Sequence, residues 1–177
     1  VRGARSVAPE LNPAVAFRLE PGSMFKAFTV ALALDEGVIT ERDVVHCAGQ
    51  ISVGKHVIRC AGDQAARVHY AVDPARCIEV SCNVTAAIWG MKLGFERLAN
   101  MIRELGLLEK PGVGLPGEVP GDLSFSEVNK TLQCANLGFG QSLNVTPVSL
   151  ASAFAVFAND GRLVHPRLIK RIGDREI

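Results

Sequence analysis

The sequence has few aromatic residues, almost no net charge and no apolar run long enough to cross a membrane. Aromatic residues make up 6% of the 177 residues, with one Trp and one Tyr, and the formal net charge is +1. Chains that bind nucleic acid or anionic membrane surfaces usually carry an excess of basic residues, so we expect no nucleic-acid partner. A composition that is 48% hydrophobic and 21% charged excludes a disordered chain and indicates a globular one.

The two ends of the sequence also lack familiar signals. The N-terminus does not have the pattern of a signal peptide, and the chain starts with Val1 rather than Met. It ends at Ile177, just after a run that is typical of a strand, residues 167–172. We interpret the sequence as a piece of a longer protein that is long enough for a sizeable core.

The cysteines lack the close pairs that are typical of zinc sites, and we expect no metal. There are five of them: Cys47, Cys60, Cys77, Cys82 and Cys134. Residues 44–60 predict a small hairpin insertion with its turn near Val53 and Gly54, which would place Cys47 opposite Cys60. These two could form a disulfide in an oxidising compartment or remain half-buried thiols. We expect the other three to fill the core.

The stretch from Glu20 to Leu34 predicts a buried helix that carries a nucleophile beside a base. A Pro-Gly pair precedes Ser23, and the residues that follow, apart from Lys26 and Thr29, are apolar on every side. Positions i and i+3 share one face of a helix, so the Lys26 ammonium should reach the Ser23 hydroxyl.

The residue types in this pair suit nucleophilic catalysis. A serine hydroxyl needs an adjacent base, and burial lowers the pKa of a lysine so that it can accept a proton. The N-terminus of a helix also favours developing negative charge. The alternative is that Ser23 only caps the helix and Lys26 is a surface residue. The Ser-x-x-Lys spacing alone favours this alternative, whereas the apolar surroundings and a second motif favour catalysis.

The second motif is Ser81-Cys82-Asn83, on a short loop between helices predicted from Pro74 to Val80 and from Val84 to Leu93. Ser81 could relay a proton between Lys26 and a leaving group, and the Asn83 amide could hold a substrate peptide by donating and accepting hydrogen bonds. Alternatively, Ser81 and Asn83 are ordinary helix caps.

The rest of the chain predicts a loop carrying His69 at 61–72, helices at 94–105 and 148–158, and an extended segment at 163–172. Residues 111–121 are too rich in Pro and Gly for regular structure. Their glycines formally match the dinucleotide-binding pattern G-x-G-x-x-G, but Pro116 and Pro120 forbid the helix that this pattern requires.

Four segments together resemble the transpeptidase domain of class B penicillin-binding proteins. They are Glu20-Pro-Gly-Ser-Met-Phe-Lys26, Ser81-x-Asn83, Leu115-Pro-Gly-Glu118, and Gly138-Phe-Gly-Gln141 followed by Val145-Thr-Pro147. The resemblance implies an α+β, beta-lactamase-like fold with an antiparallel sheet beside a helical half. Residues 1–177 would be a partial domain, mainly helical at 74–158, that lacks the last strands of the sheet and exposes apolar side chains there.

The resemblance also implies an activity, peptidoglycan D,D-transpeptidation in cell-wall synthesis and division, without a cofactor. Ser23 would form an acyl-enzyme with a stem peptide or a beta-lactam, Lys26 would be the base, and Ser81 would shuttle the proton. Asn83, Gly138 and Gln141 would bind substrate. An N-terminal anchor would hold the protein at the extracytoplasmic face of the cell membrane, with other cell-wall synthesis proteins as partners.

Two departures from the family pattern stand out. No Lys-Thr-Gly or Lys-Ser-Gly motif occurs in the sequence, and the Lys130-Thr131 pair is followed by Leu132 instead of glycine. We therefore expect this chain alone to be inactive. His69-Tyr70 stands where the family often has His-Gly. A second function remains open, a sensor of beta-lactams or peptidoglycan that is acylated once and signals, although the class B segments favour the enzyme.

Overall fold

The computed structural model describes residues 11–62, 67–124 and 126–176 and shows an α+β fold of short elements. The helices are α1 Pro13–Ala16, α2 Lys26–Asp35, α3 Pro74–Glu79, α4 Asn83–Leu93, α5 Phe95–Glu104, α6 Lys130–Gly138 and α7 Pro147–Phe154, with 3-10 turns at Gly22–Phe25, Glu127–Asn129 and Ala155–Ala158. The strands are β1 Val45–Cys47, β2 Gln50–Val53, β3 His56–Arg59, β4 Tyr70–Val72, β5 Asp122–Leu123, β6 Leu143–Asn144, β7 Arg171–Ile172 and β8 Arg175–Glu176.

These elements form two compact units. Unit 1 contains the described residues of 1–19, 106–121 and 145–177, and unit 2 contains those of 20–105 and 122–144. The predicted helical segment 74–158 therefore spans both units. Both sequence motifs, Ser-x-x-Lys and Ser-x-Asn, lie in unit 2.

The core of unit 2 is built around α4, which packs against α2, α5 and α6. α2 buries Phe28, Val30 and Ala33 on different sides, as its lack of a polar face predicts. Trp89 of α4 is completely buried, and its Nε1 has no hydrogen-bond partner among the described residues. α4 and α6 approach closely where Gly90 faces Gly138, because neither residue has a side chain to separate the backbones.

The strands of unit 2 correct the hairpin predicted at 44–60. The hairpin comprises only β2 and β3, with Val53 paired to His56 and a turn at Gly54 and Lys55. β1 pairs instead with β4, so that Cys47 faces Tyr70. The predicted turn was off by one residue, and the sequence offered no signal that β1 would pair with a strand 25 residues further on.

In unit 1, α1 packs against α7. An antiparallel bridge pairs Leu19, which follows α1, with Val145, which precedes α7. Its Pro- and Gly-rich loop has no regular structure, as predicted, and the carboxylate of Glu118 accepts hydrogen bonds from the backbone N–H groups of Gly112 and Leu115. Phe17 and Leu168 are exposed. No helix among the described residues has the length and apolar character needed to cross a membrane.

Most predicted helices are present. α3, α4 and α5 lie where the sequence placed them, and α7 with its 3-10 extension covers the predicted 148–158. α6 lies within the segment 74–158 that was expected to be mainly helical, but the sequence pattern does not predict it as a separate helix. In the predicted extended segment at 163–172, only the last two residues form a strand.

We expect Gly138→Ala to lower the free energy of unfolding by about 1–3 kcal/mol, because the added methyl group would run into the Ala86 carbonyl oxygen and lie 3.2 Å from the Gly90 Cα. Thr131→Ala, an exposed change on the same helix, should stay within about 0.5 kcal/mol of the parent protein. Denaturant unfolding measures both, and equal stability of the two variants would contradict the close helix contact.

Candidate active site

Ser23 and Lys26 form the hydrogen-bonded pair that the sequence predicts. Ser23 lies in the 3-10 turn that leads into α2, and its side chain is exposed. Lys26 is the first residue of α2 and is only 1% exposed. The Lys26 Nζ lies 3.0 Å from the Ser23 Oγ. An accessible hydroxyl thus contacts an amine that is shielded from water.

Two glycines fix the turn that presents Ser23. The Gly22 N–H donates to the Gly140 carbonyl oxygen at 2.9 Å, and both glycines have positive φ angles, +54° and +82°. A Cβ on Gly140 would collide with the Gly22 carbonyl and lie 2.7 Å from the Phe25 Cβ. The close approach of the two backbones therefore requires glycine at position 140.

Lys26 also connects the first motif to the second. Its Nζ donates to the Ser81 carbonyl oxygen at 2.7 Å and contacts the Ser81 Oγ at 2.8 Å. Burial lowers the pKa of Lys26 below the ordinary lysine value, and nearby cysteines, Cys77 first, oppose this shift. The environment therefore favours the neutral amine more than bulk water does.

The second motif is held in a strained turn between α3 and α4. Ser81 has a φ of +54°, a conformation that residues with a side chain rarely adopt. Cys82 caps α4 and accepts a hydrogen bond at its Sγ from the Thr85 N–H, 3.4 Å away. Asn83 is the first residue of α4 rather than part of the loop, and its Nδ2 donates to the Arg59 carbonyl oxygen at 2.8 Å.

A cleft of about 300 Å³ contains two of the predicted substrate-binding residues. Asn83 and Gln141 line it together with Arg59, Asn136 and Phe139. The third predicted substrate residue, Gly138, is buried where α6 meets α4. The Gly-Phe-Gly-Gln segment serves two purposes, because its first glycine permits helix packing and its last residue faces the cleft.

Behind the Ser-x-Asn motif, three cysteines and one histidine converge. The sulfur atoms of Cys47 and Cys60 lie 3.7 Å apart without a disulfide bond, and both side chains are fully rather than half buried. The Cys60 Sγ is 3.6 Å from the Cys82 Sγ, and the His69 Nδ1 is 3.8 Å from the Cys47 Sγ. Cys77, Cys82 and Cys134 are buried in the core, as predicted, but the sequence did not predict that Cys82 joins this cluster.

The cluster is electrostatically asymmetric. A hydrogen bond from Cys60 lowers the pKa of Cys82, and the same bond together with burial raises the pKa of Cys60. Hydrogen bonds from the Thr85 hydroxyl and N–H lower the pKa of Cys82 further. Burial opposes the lowering of the Cys82 pKa, but the hydrogen bonds outweigh it.

The sequence matches the family model for the penicillin-binding protein transpeptidase domain over residues 3–176. This chain belongs to that family. Penicillin-binding protein PbpB of Mycolicibacterium smegmatis is 34% identical to this transpeptidase-family chain over 162 residues, which are 90% of the chain and 24% of the relative. Stage V sporulation protein D of Bacillus subtilis is 32% identical, over 85% of the chain and 23% of the relative.

Solved structures agree with this family membership. Penicillin-binding protein 3 of Mycobacterium tuberculosis in complex with aztreonam superposes with a TM-score of 0.78 at 31% identity, over 90% of this chain and 35% of that one. A peptidoglycan glycosyltransferase from Burkholderia ambifaria gives a TM-score of 0.83 at 28% identity, and the match covers 96% of this chain and 52% of that one. This transpeptidase-family chain spans about a quarter of the length of the curated relatives described above.

We expect Ser81→Gly to be more stable than Ser81→Ala by about 1 kcal/mol. Both variants lose the hydroxyl that contacts Lys26, but only glycine relieves the positive φ angle of this residue. The comparison therefore isolates the strain of the turn. Equal unfolding free energies of the two variants in denaturant titration would contradict a strained Ser81.

Proposed function

We propose that this chain is part of a peptidoglycan D,D-transpeptidase that works through an acyl-enzyme on Ser23. The observation that carries the proposal is the 3.0 Å contact between an exposed serine hydroxyl and a lysine amine that is 1% exposed. The substrate class comes from the names of relatives. A protein of Pseudomonas aeruginosa that is 32% identical to this chain is named a probable peptidoglycan D,D-transpeptidase. The same names favour an enzyme over a sensor that is acylated once.

In the first step, the Ser23 Oγ attacks the carbonyl carbon between the two terminal D-alanines of a stem peptide. Lys26 Nζ takes the hydroxyl proton as the new ester bond forms, which requires the neutral amine that burial favours. The C–N bond then breaks, and the departing D-alanine takes the proton on its amino group. Ser81 is the relay for this proton, because its Oγ lies 2.8 Å from the Lys26 Nζ.

In the second step, an amine from a neighbouring peptidoglycan strand attacks the ester carbonyl. A new amide bond forms, the bond to the Ser23 Oγ breaks, and the serine recovers its proton through Lys26. Asn83 and Gln141 line a cleft that would hold part of the stem peptide. Ser23 is not among the lining residues, and Asn83 connects this cleft to Ser81 through the Ser-x-Asn motif. The Ser23 backbone N–H at the start of the helical segment would stabilise the oxyanion.

The same proposal covers inhibition by beta-lactams and the location of the protein in the cell. A beta-lactam would acylate Ser23 in place of the stem peptide, as the aztreonam and ampicillin complexes of the Mycobacterium tuberculosis relative suggest. We place the protein at the extracytoplasmic face of the cell membrane, with an N-terminal anchor and partners in cell-wall synthesis and division. Because this chain has no Lys-Thr-Gly motif, we propose that it needs the remainder of the domain for turnover.

A fluorescent penicillin tests the nucleophile. We expect the complete protein to carry one covalent label on Ser23, located by mass spectrometry of its peptides, and Ser23→Ala to remain unlabelled. Ser52→Ala, an exposed change in the β2–β3 hairpin, should label like the parent protein. A label on another residue, or labelling of Ser23→Ala, would refute the assignment.

A second substitution tests the base. Lys26→Arg keeps a positive charge but cannot accept a proton at neutral pH, so acylation by penicillin should slow by about 10²- to 10⁴-fold. Lys92→Arg, an exposed change on α4, should leave the rate unchanged. Rates are measured by stopped-flow or quenched labelling, and an unaltered rate in Lys26→Arg would exclude Lys26 as the base.

A further inference from the structure

The side chains of Cys47, Cys60, His69 and Cys82 form a buried cluster that acyl transfer does not use. We call these four residues the sulfur cluster. Their ligand atoms all lie within 4.8 Å of one another, and each side chain is at most 8% exposed. Each residue lies at the end of an element, since Cys47 ends β1, Cys60 follows β3, His69 precedes β4 and Cys82 caps α4.

Three of the six distances between ligand atoms of the sulfur cluster match those in the coordination shell of a tetrahedral metal ion, and all six lie within 4.8 Å. With zinc–sulfur bonds of about 2.3 Å and zinc–nitrogen bonds of about 2.0 Å, neighbouring ligand atoms are separated by about 3.5–3.8 Å. The separations here are 3.7 Å for Cys47 to Cys60, 3.6 Å for Cys60 to Cys82 and 3.8 Å for Cys47 to His69. We propose that the sulfur cluster binds one Zn²⁺ ion as a Cys3His structural site, independently of the acyl-transfer function.

The hydrogen bonds around the cluster support thiolate ligands. The Thr85 N–H and hydroxyl donate to the Cys82 Sγ at 3.4 and 3.2 Å, and the Gly49 N–H donates to the Cys47 Sγ at 3.4 Å. Such N–H and O–H donors stabilise negative charge on metal-bound sulfur. Zinc binding would release the thiol protons and distribute the remaining charge over the metal.

The histidine completes the ligand set. Its Nδ1 faces the sulfur atoms, and its Nε2 is buried without a hydrogen-bond partner among the described residues. The Nδ1 makes only a weak contact, with the Cys47 Sγ, so this nitrogen is available to coordinate a metal. Three thiolates and an imidazole favour zinc over hard cations such as Mg²⁺ or Ca²⁺, which prefer oxygen ligands.

A disulfide accounts less well for the cluster. Joining Cys47 to Cys60 requires the sulfur atoms to move from 3.7 Å to about 2.0 Å, and it gives no role to the thiol of Cys82 or the imidazole of His69. Zinc would use all four residues, whose ligand atoms already lie within 4.8 Å of one another. The fold, rather than a local sequence spacing, brings the ligands together, and this is why sequence analysis predicted no metal.

A bound zinc would tie the Ser-x-Asn motif to the β2–β3 hairpin. Cys82 lies between Ser81 and Asn83, and Cys60 follows Arg59, whose carbonyl already accepts a hydrogen bond from Asn83. The metal would therefore stabilise unit 2 at the motif without contacting a substrate. Zinc sites of this type contribute to folding free energy because the unfolded chain does not hold the ligands together.

Metal analysis of the complete protein tests the proposal. Purified without chelator from cells grown with zinc, the protein should contain about one zinc per chain by plasma mass spectrometry. Cys60→Ala should lose the metal, whereas Cys134→Ala, which removes a buried cysteine outside the cluster, should retain it. His69→Cys, which keeps four ligands, should retain zinc, and His69→Ala should bind it more weakly.

Two measurements on the unsubstituted protein keep the test valid if a variant fails to fold. Replacing zinc by Co²⁺ should give the intense sulfur-to-cobalt charge-transfer absorption of a thiolate site, and chelation should lower the unfolding temperature by several degrees. Absence of zinc and of the cobalt spectrum, or a Cys47–Cys60 disulfide in the native protein, would overturn the proposal. Neither readout depends on acylation of Ser23, so failure here leaves the proposed function untouched.

Discussion

The architecture of unit 2 depends on the amine of Lys26 and the three atoms that surround it. Burying an amine is unfavourable unless hydrogen-bond acceptors replace the lost water. Here the acceptors come from Ser23, one turn away, and from the side chain and backbone of Ser81, 55 residues further along the chain. The interactions that make burial of Lys26 tolerable therefore also align the candidate nucleophile with the second motif.

The sequence predicts those parts of the structure that depend on local rules. Ser23 and Lys26 are three residues apart, so helix geometry alone brings them together. Pro74 marks the start of α3, and Gly37 just after α2 adopts the positive φ angle that is common for glycine at the end of a helix. The Ser-x-Asn motif falls between α3 and α4 as expected, although Asn83 belongs to the helix.

What the sequence does not predict depends on contacts between distant residues. The pairing of β1 with β4 brings His69 next to Cys47, and the β2–β3 hairpin carries Cys60 to Cys82. No local spacing encodes these encounters. Gly138 illustrates the same limit, because a motif assigns it to substrate binding, whereas the packing of α6 against α4 explains why the residue is glycine.

The single tryptophan of the sequence, Trp89, lies fully buried in α4. Unit 1 has no tryptophan, so the intrinsic fluorescence of the chain originates from unit 2 alone. An indole in an apolar interior emits at shorter wavelengths than one in water, and opening of the helical core would shift that emission to the red. The chain thus contains its own optical reporter for the unit that holds the candidate active site.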